Sequence, residues 1–334
     1  MNKYPKVNYI GNKEKIADWI IECFPINRGV VLDLFSGGCS LAYNLKKSGF
    51  KVITNDVLYS NYCISRAIIE NDSVLFKFNI ADDMINDYYD EKIFNDISWM
   101  VGKLYFENEV KELASLISFS KTLKGSRKYL FLALLRRAMI RKIPYSRMNI
   151  KWEEIVKLRD EEWSYKKYKR RRAYHNMSFT YHIKNNLDEY NSSVFSNDYK
   201  NKAYQKDAFE MLKSIKKSVD LIYIDPPYPS TMNKYEEFYG SFDIMLRKNI
   251  KYTNFTNKDK FIEHIRNIIE VSKNKTKYFA ISLNNKSKPT YNDLIENLKD
   301  SVTNIFVHKR NHVYQITGKE NKQDNYEVLL VLEV

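Results

Sequence analysis

The chain reads as an α/β protein built on a mostly parallel, doubly wound sheet, with a mainly helical domain inserted into it. Three observations lead there. Residues 30–35 and 219–224 are near-continuous apolar runs of strand length, the pattern of strands buried on both faces. Each run ends in a loop of residues with special backbone behaviour, Ser36-Gly37-Gly38 after the first and Asp225-Pro226-Pro227-Tyr228 after the second. Asp225 comes 187 positions after Gly38, far more than the intervening elements of such a sheet need.

The first strand, Val30-Val31-Leu32-Asp33-Leu34-Phe35, runs through the glycine loop into a helix-like stretch over 41–47 that Gly49 closes. A glycine pair lets a ligand approach the backbone closely. The chain has only nine glycines in 334 residues, so two adjacent ones at a strand-to-helix junction are informative. A strand over 51–56 follows and ends in Asp56, 18 residues after Gly38. An acid at about that distance is the ribose-hydroxyl acceptor of nucleoside-binding α/β folds. The glycines lack the G-x-G-x-x-G spacing, which favours a mononucleoside such as S-adenosylmethionine over a dinucleotide. The run 219–224 then delivers Asp225 and Tyr228 to a strand's carboxyl end, where such sheets do chemistry. Two prolines remove two backbone donors and fix two φ angles. The turn therefore presents carbonyls, a carboxylate and a ring, which suits a planar amino group. Further strands are expected over 277–282 and near 305–307 and 328–331, and helices over 13–23, 110–119, 129–140, 260–271 and 292–298.

Together, Asp33-Leu34-Phe35-Ser36-Gly37-Gly38 and the distant Asp225-Pro226-Pro227-Tyr228 resemble the Dam-like D12 class of DNA adenine-N6 methyltransferases. Tyr9-Ile10-Gly11-Asn12-Lys13 is similar to the family's amino-terminal Trp-Ala-Gly-Gly-Lys element, which closes over the methionine end of the cofactor; Tyr9 replaces Trp and Asn12 replaces the second Gly. Tyr204-Gln205-Lys206-Asp207-Ala208-Phe209 resembles the segment whose acid receives the cofactor's adenine amine, although Asp207 also reads as a helix N-cap. The resemblance covers the two ends of the chain well and the middle poorly. It implies a Rossmann-like class I S-adenosylmethionine-dependent methyltransferase sheet, with residues 1–62 and 200–334 forming the catalytic domain. Residues 63–199 would be the target-recognition domain, in the motif order of the α group. Tyr9, Gly11, Lys13, Asp33, Phe35, Ser36, Gly37, Gly38, Asp56, Asp207 and Ala208 would bind the cofactor, and Asp225, Pro226, Pro227 and Tyr228 would act on the base. The resemblance further implies duplex DNA as substrate, a restriction-modification setting with a separate endonuclease, and a monomer in the bacterial cytoplasm that associates with the nucleoid while acting on DNA.

Composition supports a polyanionic partner for the insert. Between Lys124 and Arg172 there are 17 Lys plus Arg against five Asp plus Glu, a net of +12 beside +14 for the whole chain. The densest part, Lys166 to Arg172, interleaves charge with tyrosine, as phosphate contacts and stacking require. Lys169, Arg170, Arg171 and Arg172 are the phosphate candidates; a solvated charged face is the competing reading. Arg141, Tyr145 and Arg147 sit on a loop stiffened by Pro144, after a helix, where an arginine can pair with guanine in a groove.

The chain is long enough for two cores. Its three cysteines, Cys23, Cys39 and Cys63, have no paired or Cys/His spacing, so no metal centre or disulfide scaffold is expected. The best apolar run, residues 129–135, is broken by Arg136-Arg137 and is far shorter than a membrane span. The aromatic residues Tyr235, Phe238 and Tyr239, and the segment Ser282-Leu283-Asn284-Asn285, are further candidates to border the base pocket. Cytosine-N4 and RNA amino-methyl transfer remain open alternatives, as does a non-catalytic nucleic-acid-binding subunit.

Overall fold

The computed structural model describes residues 2–80, 84–169, 173–229, 235–311 and 325–334. They form two compact units, one of Met1–Ile10, Leu58–Ser196 and Tyr235–Asn249, the other of Gly11–Val57, Asn197–Lys234 and Ile250–Val334.

The second unit holds the sheet. Among the described residues its strands are β1 (Val30–Asp33), β2 (Lys51–Asp56), β3 (Lys202–Gln205), β4 (Leu221–Ile224), β5 (Tyr278–Asn284), β6 (Asn304–Asn311) and β7 (Tyr326–Glu333), in the order β3-β2-β1-β4-β5-β7-β6. The first five pair in parallel, and β7 runs antiparallel between β5 and β6. The doubly wound α/β sheet read from the sequence is present. The strand β3 carries no signal in the sequence because it is an edge strand, with Ala203 its one buried residue.

Side chains alternate between the faces of a strand, and here the alternation separates two chemistries. One face presents Leu32, Ile222, Ile224, Phe279, Ile281, Leu283, Val328, Leu330 and Leu332 to a fully apolar cluster. The other presents Asp33, Tyr223, Ser282 and Glu327 among Val31, Leu221 and Leu329, and continues one step past β4 to Asp225. Polar groups at near-zero exposure in a sheet are costly unless paired, so this second face is built for more than packing.

Numbered along the whole chain, the helices of the sheet unit are α1 (Ala17–Glu22), α2 (Ser40–Lys47), α10 (Ala208–Ser214), α12 (Phe261–Ser272) and α13 (Tyr291–Leu298). The helical unit holds α3 (Tyr59–Ile68), α4 (Glu91–Ile97), α5 (Glu107–Thr122), α6 (Gly125–Arg141), α7 (Trp152–Arg159), α8 (Glu161–Tyr168), α9 (Phe179–Ser192) and α11 (Tyr235–Met245). Its centre is α6, buried without interruption from Leu130 to Ile140. Asp243 of α11 caps α3, accepting from the Tyr59 and Ser60 amides at 2.6 and 2.9 Å, which explains why 235–249 belongs to this unit.

Four of the basic residues counted in the insert are interior. Arg136, Arg137, Lys142 and Arg159 are 1–6% exposed. Glu109 binds Arg159 through both oxygens, at 2.5 and 2.9 Å, and Lys142 at 2.7 Å, while Lys142 also donates to the Met177 carbonyl. Burial raises the Glu109 carboxyl, but the two cations outweigh it and hold its pKa below the usual value. Replacing Glu109 by Ala strands two buried cations and is expected to cost about 3–5 kcal/mol in denaturant unfolding; a loss below about 1 kcal/mol would show that the network carries little stability.

Candidate active site

Three strand ends build the site. In the sheet β1 lies between β2 and β4 in parallel register, so Asp33, Asp56 and Asp225 emerge at one carboxyl rim. The ladder continues into the loops: the Leu34 amide donates to the Tyr223 carbonyl at 3.0 Å and the Ser36 amide to the Asn55 carbonyl at 2.9 Å. Asn55 then ties the glycine loop to the chain after β3 by donating to the carbonyls of Leu34 and Lys206 at 3.2 and 3.1 Å.

The glycine loop has the backbone its sequence requires. Gly37 adopts φ +50° and donates its amide to Asp56 Oδ2 at 2.8 Å, while Cys39 takes φ +64° just before α2. Asp56, 9% exposed, thus braces the loop with one oxygen. Three buried atoms here, Asp33 Oδ1, Ser36 Oγ and Asn55 Oδ1, have no hydrogen-bond partner among the described residues. Such orphans cost about 1–3 kcal/mol each, which marks where a ligand donor would be accepted. Burial, with Asp225 and Asp56 adding their charge, pushes the Asp33 carboxyl well above the carboxylate range.

The proline turn meets the amino-terminal segment. Lys13 is anchored by its amide, which donates to Ser40 Oγ at 2.9 Å, and its ammonium lies 2.9 Å from Asp225 Oδ2 and 3.3 Å from Glu327 Oε1. Ser282 Oγ donates to Glu327 Oε1 at 2.8 Å. The Tyr228 hydroxyl donates to Asp225 Oδ1 at 2.6 Å and lies 3.1 Å from the Ser282 carbonyl oxygen. Asp225 keeps 19% of its side chain exposed, whereas Glu327 keeps none. Burial raises the Asp225 carboxyl, Lys13 pulls it down, Glu327 pushes it up again, and the outcome is a raised pKa. Burial works against the Lys13 ammonium, yet Asp225 and Glu327 together hold its pKa well above the usual lysine value.

Tyr228 is 9% exposed and packs with the apolar cluster of the opposite face, its hydroxyl occupying the Asp225 oxygen that faces it. Stacking on a base is a different use of that ring from the one displayed here. Pro226 is buried and Pro227 half-buried. Asp207 acts as the N-cap of α10, accepting from the Phe209 amide at 2.9 Å through Oδ1 and from the Thr253 amide at 2.7 Å through Oδ2. Ala208 opens the helix and is buried. Nearby, Phe255 stands edge-on to Phe35 at 4.9 Å and stacked on Phe209 at 6.2 Å, an aromatic group of a kind that accepts a flat ring.

Gly11 and Lys13 belong to the sheet unit, whereas Tyr9 belongs to the helical unit, where it stacks on Tyr239 at 5.0 Å. Phe238 and Tyr239, read from the sequence as pocket liners, are 2% and 1% exposed within that same unit. Arg147 lies over Phe238 at 5.6 Å, Arg141 over Tyr174 at 4.4 Å, and Tyr145 is half exposed in the left-handed region at φ +61°. Lys169 is exposed at the end of α8; Arg170, Arg171 and Arg172 lie outside the described residues. Sequence reasoning missed Glu327, Phe255 and Asn55. Their signals were an acid beside the apolar run 328–331, an aromatic in a polar loop, and an amide at a strand's end.

A family model of the D12 class N6 adenine-specific DNA methyltransferases matches residues 9–287. The chain belongs to this family. It is an adenine-specific DNA methyltransferase on a class I methyltransferase sheet, and membership implies a methyl donor. The cytosine-N4, RNA and non-catalytic readings give way to it. The Type II methyltransferase M2.HphI of Haemophilus parahaemolyticus is 42% identical over 342 aligned residues that cover 99% of this chain and 98% of that protein. The modification methylase StsI of Streptococcus sanguinis is 25% identical, over 98% of this chain and 52% of that protein. The Type II methyltransferase M.FokI of Planomicrobium okeanokoites is 27% identical, over 66% of this chain and 34% of that protein.

The geometry around Asp225 has a consequence for titration. Its carboxyl, followed by carbon-detected NMR, is expected to titrate above about 3.9, the ordinary aspartate value. In Lys13→Met, which removes the pairing cation, the midpoint is expected to rise further. A midpoint unmoved by that substitution would contradict the pairing.

Proposed function

We propose that this enzyme transfers a methyl group from S-adenosylmethionine to N6 of an adenine rotated out of duplex DNA, as the modification half of a restriction-modification system. The observation that carries the proposal is the shared carboxyl rim, on which the glycine loop and the Asp225 turn stand on adjacent strands. The rim is rich in acid, with Asp33, Asp56 and Asp225, and carries orphaned acceptors, and so it fits a donor that bears both an ammonium and a sulfonium. Asp33 and Ser36 would hold the amino-acid end of the donor, and Asp56 the ribose. Phe35, Phe255 and Phe209 would flank the nucleobase, with Asp207 and Ala208 at its edge. Gly37 and Gly38 permit the approach. When bound, the donor supplies a methyl that leaves behind a neutral thioether.

The protein's part is to make a poor nucleophile available. The lone pair of an exocyclic amine is delocalised into its ring, and N–H acceptors favour the geometry in which nitrogen can attack. Asp225 and the Pro226 carbonyl supply two acceptors. As the N6–C bond forms and the S–C bond breaks, a proton leaves N6 along its hydrogen bond to Asp225. Tyr228 then has two uses: its hydroxyl holds Asp225 Oδ1 before a base enters, and its ring, once that bond is exchanged for the amine, can turn to stack on the base. Rotating the nucleotide out costs a few kcal/mol. The helical unit, with Arg141, Tyr145, Arg147 and Lys169 to Arg172, would read the target and grip its phosphates. The names of the relatives support a Type II modification role with a separate endonuclease, and no described helix is long and apolar enough to cross a membrane. A monomer acting on the nucleoid in the bacterial cytoplasm completes the reading.

Asp225→Ala is expected to reduce methyl transfer to duplex DNA on the order of 100-fold or more; near wild-type rates would remove the acceptor role. Asp56→Ala should weaken donor binding more than it slows transfer at saturating donor, and a pure rate defect would contradict the ribose assignment. Replacing Lys166, Lys167 and Lys169 by Gln should lower DNA affinity across sequences and reduce its salt slope by about 0.9 per lost phosphate contact. An unchanged slope would make that segment a solvated face.

A further inference from the structure

One buried acid is not accounted for by the chemistry above. Glu327 sits on β7 with its side chain fully enclosed, opposite Asn284 in the β5–β7 ladder, and beyond residue 287 where the family match ends. Its neighbours along the strand, Val328 to Leu332, are apolar and buried. A leucine would fill such a place without the several kcal/mol that desolvating a carboxylate costs, so the acid has a use. The contacts show which. An ammonium has three N–H donors, and those of Lys13 have Asp225 Oδ2 at 2.9 Å, Glu327 Oε1 at 3.3 Å and the Gly11 carbonyl at 3.5 Å within reach. One cation is thus divided between two carboxylates, with the Ser282 hydroxyl fixing the orientation of the inner one.

We infer that Glu327 is a positioning residue of methyl transfer, which holds the Lys13 ammonium partly away from Asp225 and so keeps the Asp225 carboxylate a strong acceptor for the target amine. Without Glu327, Lys13 would give its charge wholly to Asp225 and weaken it as an acceptor. The inference rests on the reading that Asp225 receives the amine. The groups that face Asp225 are Lys13 from the amino-terminal segment, Asp33 from β1, Tyr223 and Tyr228 from β4 and its turn, and Glu327 from β7. Of these, Glu327 adds a negative charge that favours the protonated form of Asp225, and Lys13 opposes it.

The test is single-turnover methyl transfer from saturating S-adenosylmethionine to duplex DNA as a function of pH. In Glu327→Gln the plateau rate is expected to fall on the order of 10-fold, and the acid limb to move to lower pH by about one unit, because a like charge near Asp225 is gone. A residue that merely cements β7 to β5 would leave the limb where it is, so an unmoved limb, or one displaced to higher pH, overturns the inference. Should Glu327→Gln fail to fold, Ser282→Ala supplies the other arm. Loss of the hydroxyl leaves Glu327 a stronger competitor for Lys13, and the limb should move to higher pH; no movement is again contrary. Asp225→Asn is run in parallel. If it retains the wild-type rate, the acceptor reading itself is at fault, whereas an inactive Asp225→Asn beside an unchanged Glu327→Gln defeats this inference alone.

Discussion

The Lys13 ammonium is the contact on which the carboxyl rim depends. Asp33, Asp56, Asp225 and Glu327 are all buried or nearly so on one side of a single sheet, and like charges so placed cannot all ionise without a counter-ion. Lys13 enters from outside the sheet, fixed by its own amide to the first residue of α2, and touches two of the four. The amino-terminal segment is thereby tied to the proline turn. The resemblance implies a place for Lys13 at the cofactor, and in the structure its ammonium pairs with the proline turn.

What brings these groups together is the arithmetic of strands. Period-two alternation puts Asp33, Tyr223, Asp225, Ser282 and Glu327 on the same face, and parallel pairing of β2, β1 and β4 brings three strand ends level. The antiparallel β7 runs back beside β5, so Glu327, near its beginning, stands at the end of the sheet where the parallel strands finish. The opposite face carries the apolar cluster that binds the sheet to α10, α12 and α13. One face supplies the stability and the other can therefore hold charge.

Much of this was legible before any coordinates. The strands over 30–33 and 221–224 were readable as apolar runs closed by an acid, that over 51–56 by its Val-Ile pair and terminal acid one helix after the glycine loop, and the two loops because Gly-Gly and Pro-Pro are backbone statements. The edge strand β3 was not, since an edge has one buried residue and no run to detect. Charge counting exaggerated the surface of the insert: Arg136, Arg137, Lys142 and Arg159 are spelled like phosphate contacts and serve as interior struts. Phe238 and Tyr239 were visible as aromatics, but only the tertiary structure shows them packed in the helical unit. Glu327 was hidden for a physical reason, because a single acid at the start of a strand reads as a solvated end until its partners, 45 and 314 residues away in sequence, are known.

In the proposed mechanism the Asp225 turn grips the amine of an extruded adenine beside the donor seat. The most direct measurement is a crystal structure with S-adenosylhomocysteine and duplex DNA containing the recognised site. Target N6 is expected within about 3.2 Å of both an Asp225 carboxylate oxygen and the Pro226 carbonyl, with the Tyr228 hydroxyl displaced from Asp225. A complex that holds the cofactor away from the Asp33–Gly38 loop, or leaves the Tyr228–Asp225 bond intact with the adenine amine bound elsewhere, would contradict it.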